Sequence, residues 1–177
     1  MKRHLVCLVL MMVVLSSQAS SSMFLRVDGI QGESVDERFV KQIEVISFGL
    51  GMSNNSDLHN GGKAGKGSFQ DLTILKYLDK SSSALMLRTA RGEIISEIEL
   101  SIRSSLRPDV YLVIKLKNVL VSSISVEGQA GGDRITESVT FHYERIHVQY
   151  TFFEEGIMGG KKIDPFEWNI PIAKAGY

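Results

Sequence analysis

The chain has 177 residues, 44% hydrophobic and 23% charged, with 20 Lys and Arg against 20 Asp and Glu. That length suffices for one domain with a sizeable core, and a zero net charge with no basic run argues against nucleic-acid binding. The single cysteine, Cys7, falls in an N-terminal leader, so the chain beyond it has no disulfide, thiolate nucleophile or cysteine metal site.

Residues 1–20 read as a secretory signal peptide. Lys2 and Arg3 form the positive end, Leu5 to Leu15 the apolar run, and Ser16 to Ala19 a small-residue cleavage site. The run is shorter than the roughly 20 residues that span a bilayer, so no stable membrane insertion is expected. Cys7 lies inside it, which excludes a lipoprotein signal. The competing translation start is Met23, where strand character begins. Residues 21–177 then read as one domain, with no linker or composition break.

Met23–Asp28 alternates as a strand, and Gly29–Val35 is a turn region. Ile43–Leu50 is a second strand whose apolar phase changes, from Ile43 and Val45 to Ile46, Phe48 and Leu50. Side chains alternate faces along a strand, so a phase change predicts a bulge or bend. Ser53–Ser68 (SNNSDLHNGGKAGKGS) is a polar, glycine-rich extended loop, of a length that tends to be functional. It is not a phosphate-binding loop: Gly65-Lys66 is followed by Gly67 where Ser or Thr is needed, and Asn60 stands where the motif has glycine. Phe69–Leu78 resumes strand character. Ser82–Ala90 is the one expected helix, with Ser81–Ser83 as capping side chains, Gly92 as its stop, and the Leu85–Met86 side plugging one end of a barrel.

Ile94–Arg103 follows, with Ile98, Leu100 and Ile102 inward and Glu97, Glu99, Ser101 and Arg103 outward. Leu106–Asp109 turns the chain at Pro108. In Tyr111–Lys117, Leu112, Ile114 and Leu116 form the apolar face. Val119–Tyr150 reads as two long strands joined by a loop containing Gly128, Gly131 and Gly132. In the second, Val139, Phe141 and Tyr143 give way to Ile146, Val148 and Tyr150, predicting a bend at Glu144–Arg145. Thr151–Lys162 reads as a hairpin tip and Phe166–Ile172 as a closing edge strand. Bent strands at this spacing predict a small closed β-structure.

Chemistry-bearing residues are sparse. An unbent strand puts His142 and His147 on opposite faces; with the bend and Glu144 they would meet, but solvent-facing roles fit them and His59 better than a metal site. No serine lies in a nucleophile elbow, so a secreted hydrolase finds no catalytic constellation. Asp133-Arg134 suits a local ion pair or a subunit contact. Glu97, Glu99, Arg103, Lys115 and Lys117 suit a solvated face, and Trp168 a packing anchor. No catalytic, cofactor-binding or metal residue is assigned.

Four stretches carry a family resemblance: MFLRVDGIQGES (Met23–Ser34), GKGSFQDLTILKYLDKSSSALM (Gly65–Met86), Val119–Tyr150, and EWNI (Glu167–Ile170). In this order and spacing they resemble the Hcp family, whose members form the tube of type VI secretion systems. The resemblance implies a mainly β fold: a closed barrel of antiparallel strands with one short α-helix and an extended loop. It implies a structural protein, not an enzyme, that self-assembles into homohexameric rings stacking into a tube. Secretion effectors and spike or sheath components are the further implied partners.

The resemblance places Ser53, Asn54, Leu58, His59, Lys63 and Lys66 of the loop at a subunit interface, with Asp133 and Arg134 added as a second contact. Ser47 and Gly49 would face the lumen. Family members carry no leader, being assembled in the cytoplasm before export. A functional signal peptide would instead send the chain to the periplasm or beyond, whereas a start at Met23 would keep it cytoplasmic before type VI export. The alternative that the leader favours is an exported monomeric binding module on the same barrel.

Overall fold

The computed structural model describes residues 21–54, 66–104, 109–128, 130–154 and 159–177. The proposed leader and Leu58, His59 and Lys63 lie outside them. In chain order the strands are β1 (Ser22–Val27), β2 (Ile43–Gly49), β3 (Met52–Asn54), β4 (Gly67–Phe69) and β5 (Leu72–Tyr77). Helix α1 (Ser82–Arg91) follows, and then β6 (Ile95–Arg103), β7 (Val110–Glu127), β8 (Thr136–Phe152), β9 (Lys161–Lys162) and β10 (Phe166–Asn169).

β8 closes the barrel. It pairs antiparallel with β7 along nearly its whole length, and its first half also pairs with β5. With the pairings β5–β2, β2–β1, β1–β6 and β6–β7, this makes a closed six-stranded antiparallel barrel. Beyond Phe141 the edge of β8 passes from β5 to β10, which pairs with Arg145 to Val148. β9 pairs with Thr151 and Phe152, forming the expected terminal hairpin.

Alternation supplies the core. Leu25, Ile43, Leu72, Ile74, Ile98, Leu100, Leu116, Val139, Phe141 and Ile146 are fully buried, each gaining about 1.5–3 kcal/mol from leaving water. The phase changes are resolved as expected, by local irregularities. In β2 the register with β5 shifts between Val45 and Ser47, leaving Ile46 39% exposed while Phe48 and Leu50 pack on the core.

In β8 the inward set moves from Tyr143 to Ile146, and in β7 it moves from Leu116 to Val119 at the same level. Both strands therefore bend together. Asn118 takes a left-handed conformation (φ 52) there, and its Nδ2 donates to Glu144 Oε2 at 2.7 Å. Asn is among the few residues that visit this region at modest cost.

Helix α1 runs from the end of β5 to the start of β6, packs on β7 and buries Leu85 completely. Leu85 joins the core and Ala84 packs against it, whereas Met86 is 40% exposed. The Ser81 hydroxyl makes no capping bond; it donates to Asp79 Oδ1 at 2.5 Å. Gly92 ends the helix in the left-handed region (φ 62), its N–H donating to the carbonyls of Arg88 and Thr89.

Two further expectations change. The extended loop is a two-stranded arm at its base, where β3 and β4 pair in a sheet of their own. Ser101, on the outward phase of β6, is buried. The outward face there carries Phe24 stacked on Phe39 at 4.4 Å, with the Arg103 guanidinium over both rings. Arg103 also pairs with Asp36, whose carboxyl that hydrogen bond holds below the usual range.

Candidate assembly surfaces

The arm leaves the barrel between β2 and β5, through residues 50–51 and 70–71. At its root Gln70 N–H donates to the Gly51 carbonyl at 2.9 Å. The Gln70 side-chain amide folds over Gly51, its Oε1 2.4 Å from where a Cβ would stand. The Tyr143 hydroxyl donates to the Gln70 carbonyl at 3.1 Å. Burial, aided by the Asp71 charge, pushes that phenol up to about 12, so it remains a donor. Asp71 accepts from the Ser122 hydroxyl at 3.0 Å and pairs with His142 Nδ1 at 2.9 Å.

Ser53 and Asn54 are exposed on β3, and Lys66 is exposed just before β4. Phe69 turns back from the arm towards Phe166 and Trp168, with centroids 6.4 and 6.2 Å away. Trp168 is therefore an anchor, tying the arm's base to β10. An open cleft of about 560 Å³ lies there, lined by Lys66, Phe69, Trp168, Ile170 and Ala173 among others.

Asp133 and Arg134 sit at the opposite end, in the loop between β7 and β8 where Gly131 takes φ 83. The Arg134 guanidinium lies 3.8 Å over the Tyr77 ring, which fixes it to the tip of β5. Beneath lies a cluster that sequence reasoning missed. Lys76 and Glu137, both fully buried and opposite one another on β5 and β8, meet at 2.6 Å. Lys76 Nζ also donates to Asp79 Oδ1 at 2.8 Å, to the Tyr77 carbonyl at 2.8 Å and to the Ser82 hydroxyl at 3.2 Å. That hydroxyl donates to Glu137 Oε1 at 2.8 Å, so the pair holds the start of α1. The available signal was alternation: Leu72, Ile74 and Lys76 share a phase, as do Glu137, Val139 and Phe141.

The barrel's outer surface divides in two. Across β1, β6, β7 and the second half of β8 it is charged. Arg26 pairs with Glu97 and Glu99, and Lys115 with Glu99 at 3.0 Å. Burial would raise the Glu99 carboxyl, but Lys115 and Arg26 outweigh it and hold the group below its ordinary value. His147 Nδ1 meets Glu167 at 2.9 Å. Tyr177 closes this field, its hydroxyl donating to Glu97 and its ring lying under Lys117 Nζ at 4.2 Å.

Across β7, the first half of β8, β5 and β2 the surface carries two uncharged rows. Register aligns Ser123, Thr140, Thr73 and Gly49 in one row and Ser125, Ser138, Leu75 and Ser47 in the next. Ser47 and Gly49 are exposed at the ends of these rows. The two histidines do not meet: His142 pairs with Asp71, His147 with Glu167, and Glu144 with Asn118. Among the described residues no three His, Cys, Asp or Glu side chains converge as metal ligands, and no helix is long and apolar enough to cross a membrane.

Residues 24–150 match the family model described as type VI secretion system effector, Hcp. The chain belongs to the Hcp family. Protein hcp1 of Pseudomonas aeruginosa is 38% identical over 154 residues, covering 84% of this chain and 94% of that protein. Among solved structures, one described as a type six secretion system protein superposes with a TM-score of 0.84 at 26% identity, over 89% of this chain and all of that one. Hcp1 from Salmonella typhimurium gives 0.74 at 26% identity, over 88% and 99% of the two chains. The resemblance in sequence, the barrel and the one helix among the described residues thus agree, and the chain is homologous to the type VI secretion tube protein.

Proposed function

We propose that this chain assembles into closed hexameric rings that stack into a hollow tube, with a structural and not a catalytic role. The observation that carries the reading is the arm. β3 and β4 pair with each other and with no barrel strand, and Met52 on the arm is 54% exposed. A two-stranded ribbon is marginal alone, so contact with a neighbouring protomer would stabilise it. A closed ring needs two different patches per subunit. The arm, with Ser53, Asn54, Leu58, His59, Lys63 and Lys66, would supply one, and the end carrying Asp133 and Arg134 a further contact. The neutral rows ending at Ser47 and Gly49 would face the lumen and passing effectors, with spike or sheath components meeting the assembled tube.

Native mass spectrometry of the protein from its producing cells tests this. A sixfold multiple is expected, and a variant lacking residues 53–68 should run as a folded monomer. A wild-type monomer well above micromolar concentration would overturn the ring and leave the exported binding module. The same spectrum reports the leader: a chain beginning near Ser20 means export through the signal peptide, and one beginning at Met23 means cytoplasmic assembly.

A further inference from the structure

We propose that Asp71, His142 and Ser122 form a protonation-sensitive clamp that fixes the direction in which the arm leaves the barrel. Its consequence for assembly rests on the arm being a subunit contact; the clamp itself does not.

The return limb of the arm, Gln70 and Asp71, is held by side chains from two other strands. Tyr143 and His142 reach it from β8 and Ser122 from β7. Ser122 stands at the irregularity of β7, where the register with β8 shifts between Val121 and Ser123. A bulge re-aims a side chain, and here it turns the Ser122 hydroxyl to Asp71 and out of the neighbouring hydroxyl row. Through the Gln70–Gly51 bond the restraint reaches the outgoing limb as well. Two strands thereby fix both limbs of a ribbon that has no barrel pairing of its own.

The clamp can gain or lose a charge. The His142 side chain is 64% exposed, so solvent reaches its ring. The charged group bonded to it is a carboxylate, Asp71 from the arm root; Glu144, two residues further along its own strand, is tied instead to Asn118 of β7. Tyr143 stays a neutral phenol. The cations Lys117 and Arg145 are paired in register beyond the bend, in the charged field. Neutral imidazole gives Asp71 a single Nδ1–H bond. Protonation at Nε2 keeps that bond and adds a full positive charge beside the carboxylate, and charge-assisted bonds are about twice as strong as neutral ones. Histidine is the side chain that ordinarily changes charge between about pH 5 and 8. The arm root is therefore tighter at the acid end of that range while Asp71 remains ionised.

The test is hydrogen exchange of the arm-root amides in the full chain, at pH 5.5 and 7.5 after correction for intrinsic rates. For an exposed pair the expected gain in wild-type protection at pH 5.5 is about threefold. His142→Gln, which can bond but cannot charge, should abolish the pH dependence, and Ser122→Ala should lower protection equally at both pH values. A pH-independent wild type, or His142→Gln retaining the wild-type profile, would overturn the clamp. Ring dissociation followed by native mass spectrometry on the same samples separates the two ideas. A dissociation midpoint that moves with protection supports the coupling. A clamp that responds to pH while the midpoint stays fixed would remove the arm from the subunit contact and leave the clamp standing.

Discussion

Strands β7 and β8 run through both outer fields of the barrel, and the contrast between those fields shows what decides where a charge can stand. Over Lys115, Lys117 and Arg145 the outward side chains are charged, and the layer behind them, Ile98, Leu100, Ile114, Leu116 and Ile146, is apolar. Over Ser123, Ser125, Ser138 and Thr140 the arrangement inverts. The outside is hydroxyl, and the charges Lys76 and Glu137 lie within. In both fields the charges sit opposite a partner on the adjacent strand, Lys115 against Glu99 and Lys76 against Glu137. Cross-strand register is thus the common condition. The energetics differ because water screens one pair and is excluded from the other.

Breaking the inner pair is the most severe test of that contrast. Glu137→Ala or Lys76→Ala strands a buried charge and should cost about 3–5 kcal/mol in urea unfolding. The double change Lys76→Met with Glu137→Leu removes both charges and should return stability close to wild type. A double variant as unstable as the singles would mean that the pair's bonds to Ser82 and Asp79 matter more than its charge.

The next test is the bend where the fields meet. Asn118→Val places a β-branched residue in the left-handed region and should lose about 1–2 kcal/mol, whereas Asn118→Gly should lose less, giving up only the bond to Glu144. The smallest effect belongs to the outer field. Glu99→Gln should cost no more than about 1 kcal/mol at pH 7. Because Glu99 is held below its ordinary value, its contribution is present above the unfolded carboxylate range and lost as pH falls through the folded value. Stability curves of wild type and Glu99→Gln should therefore converge on acidification.

How far the barrel was legible follows from the same residues. The slips from Val45 to Phe48 and from Tyr143 to Ile146 are visible as changes of phase, and they predicted a curled, closed sheet. The matching slip in β7, Leu116 to Val119, was equally visible but becomes meaningful only beside its partner strand. Lys76 and Glu137 stood on inward phases and were passed over, because a charged residue near a strand end is ordinarily solvated and only register brings the two together. The arm's strands were not legible: β3 (MSN) and β4 (GSF) are three residues each, and their Ser, Asn and Gly carry little strand propensity. The stack of Phe24 on Phe39, and the reach of Ser122 and His142 to Asp71, join distant stretches of chain and leave no local pattern.

The closure of the barrel by β8 has a consequence for how the protein is made. Until residues 136–152 have left the ribosome, β5 lacks one of its two neighbours and β7 is paired with β6 alone. A nascent chain up to residue 130 thus carries two unpaired strand edges, and unpaired edges invite pairing between chains. The join of β5 to β8 spans a long stretch of sequence, and such non-local pairing is slow to form. Nearly the whole chain must be synthesised before its most hazardous surface is covered, so translation stalled between β7 and β8 would release a species prone to aggregate, whereas stalling after Phe152 would leave the barrel complete.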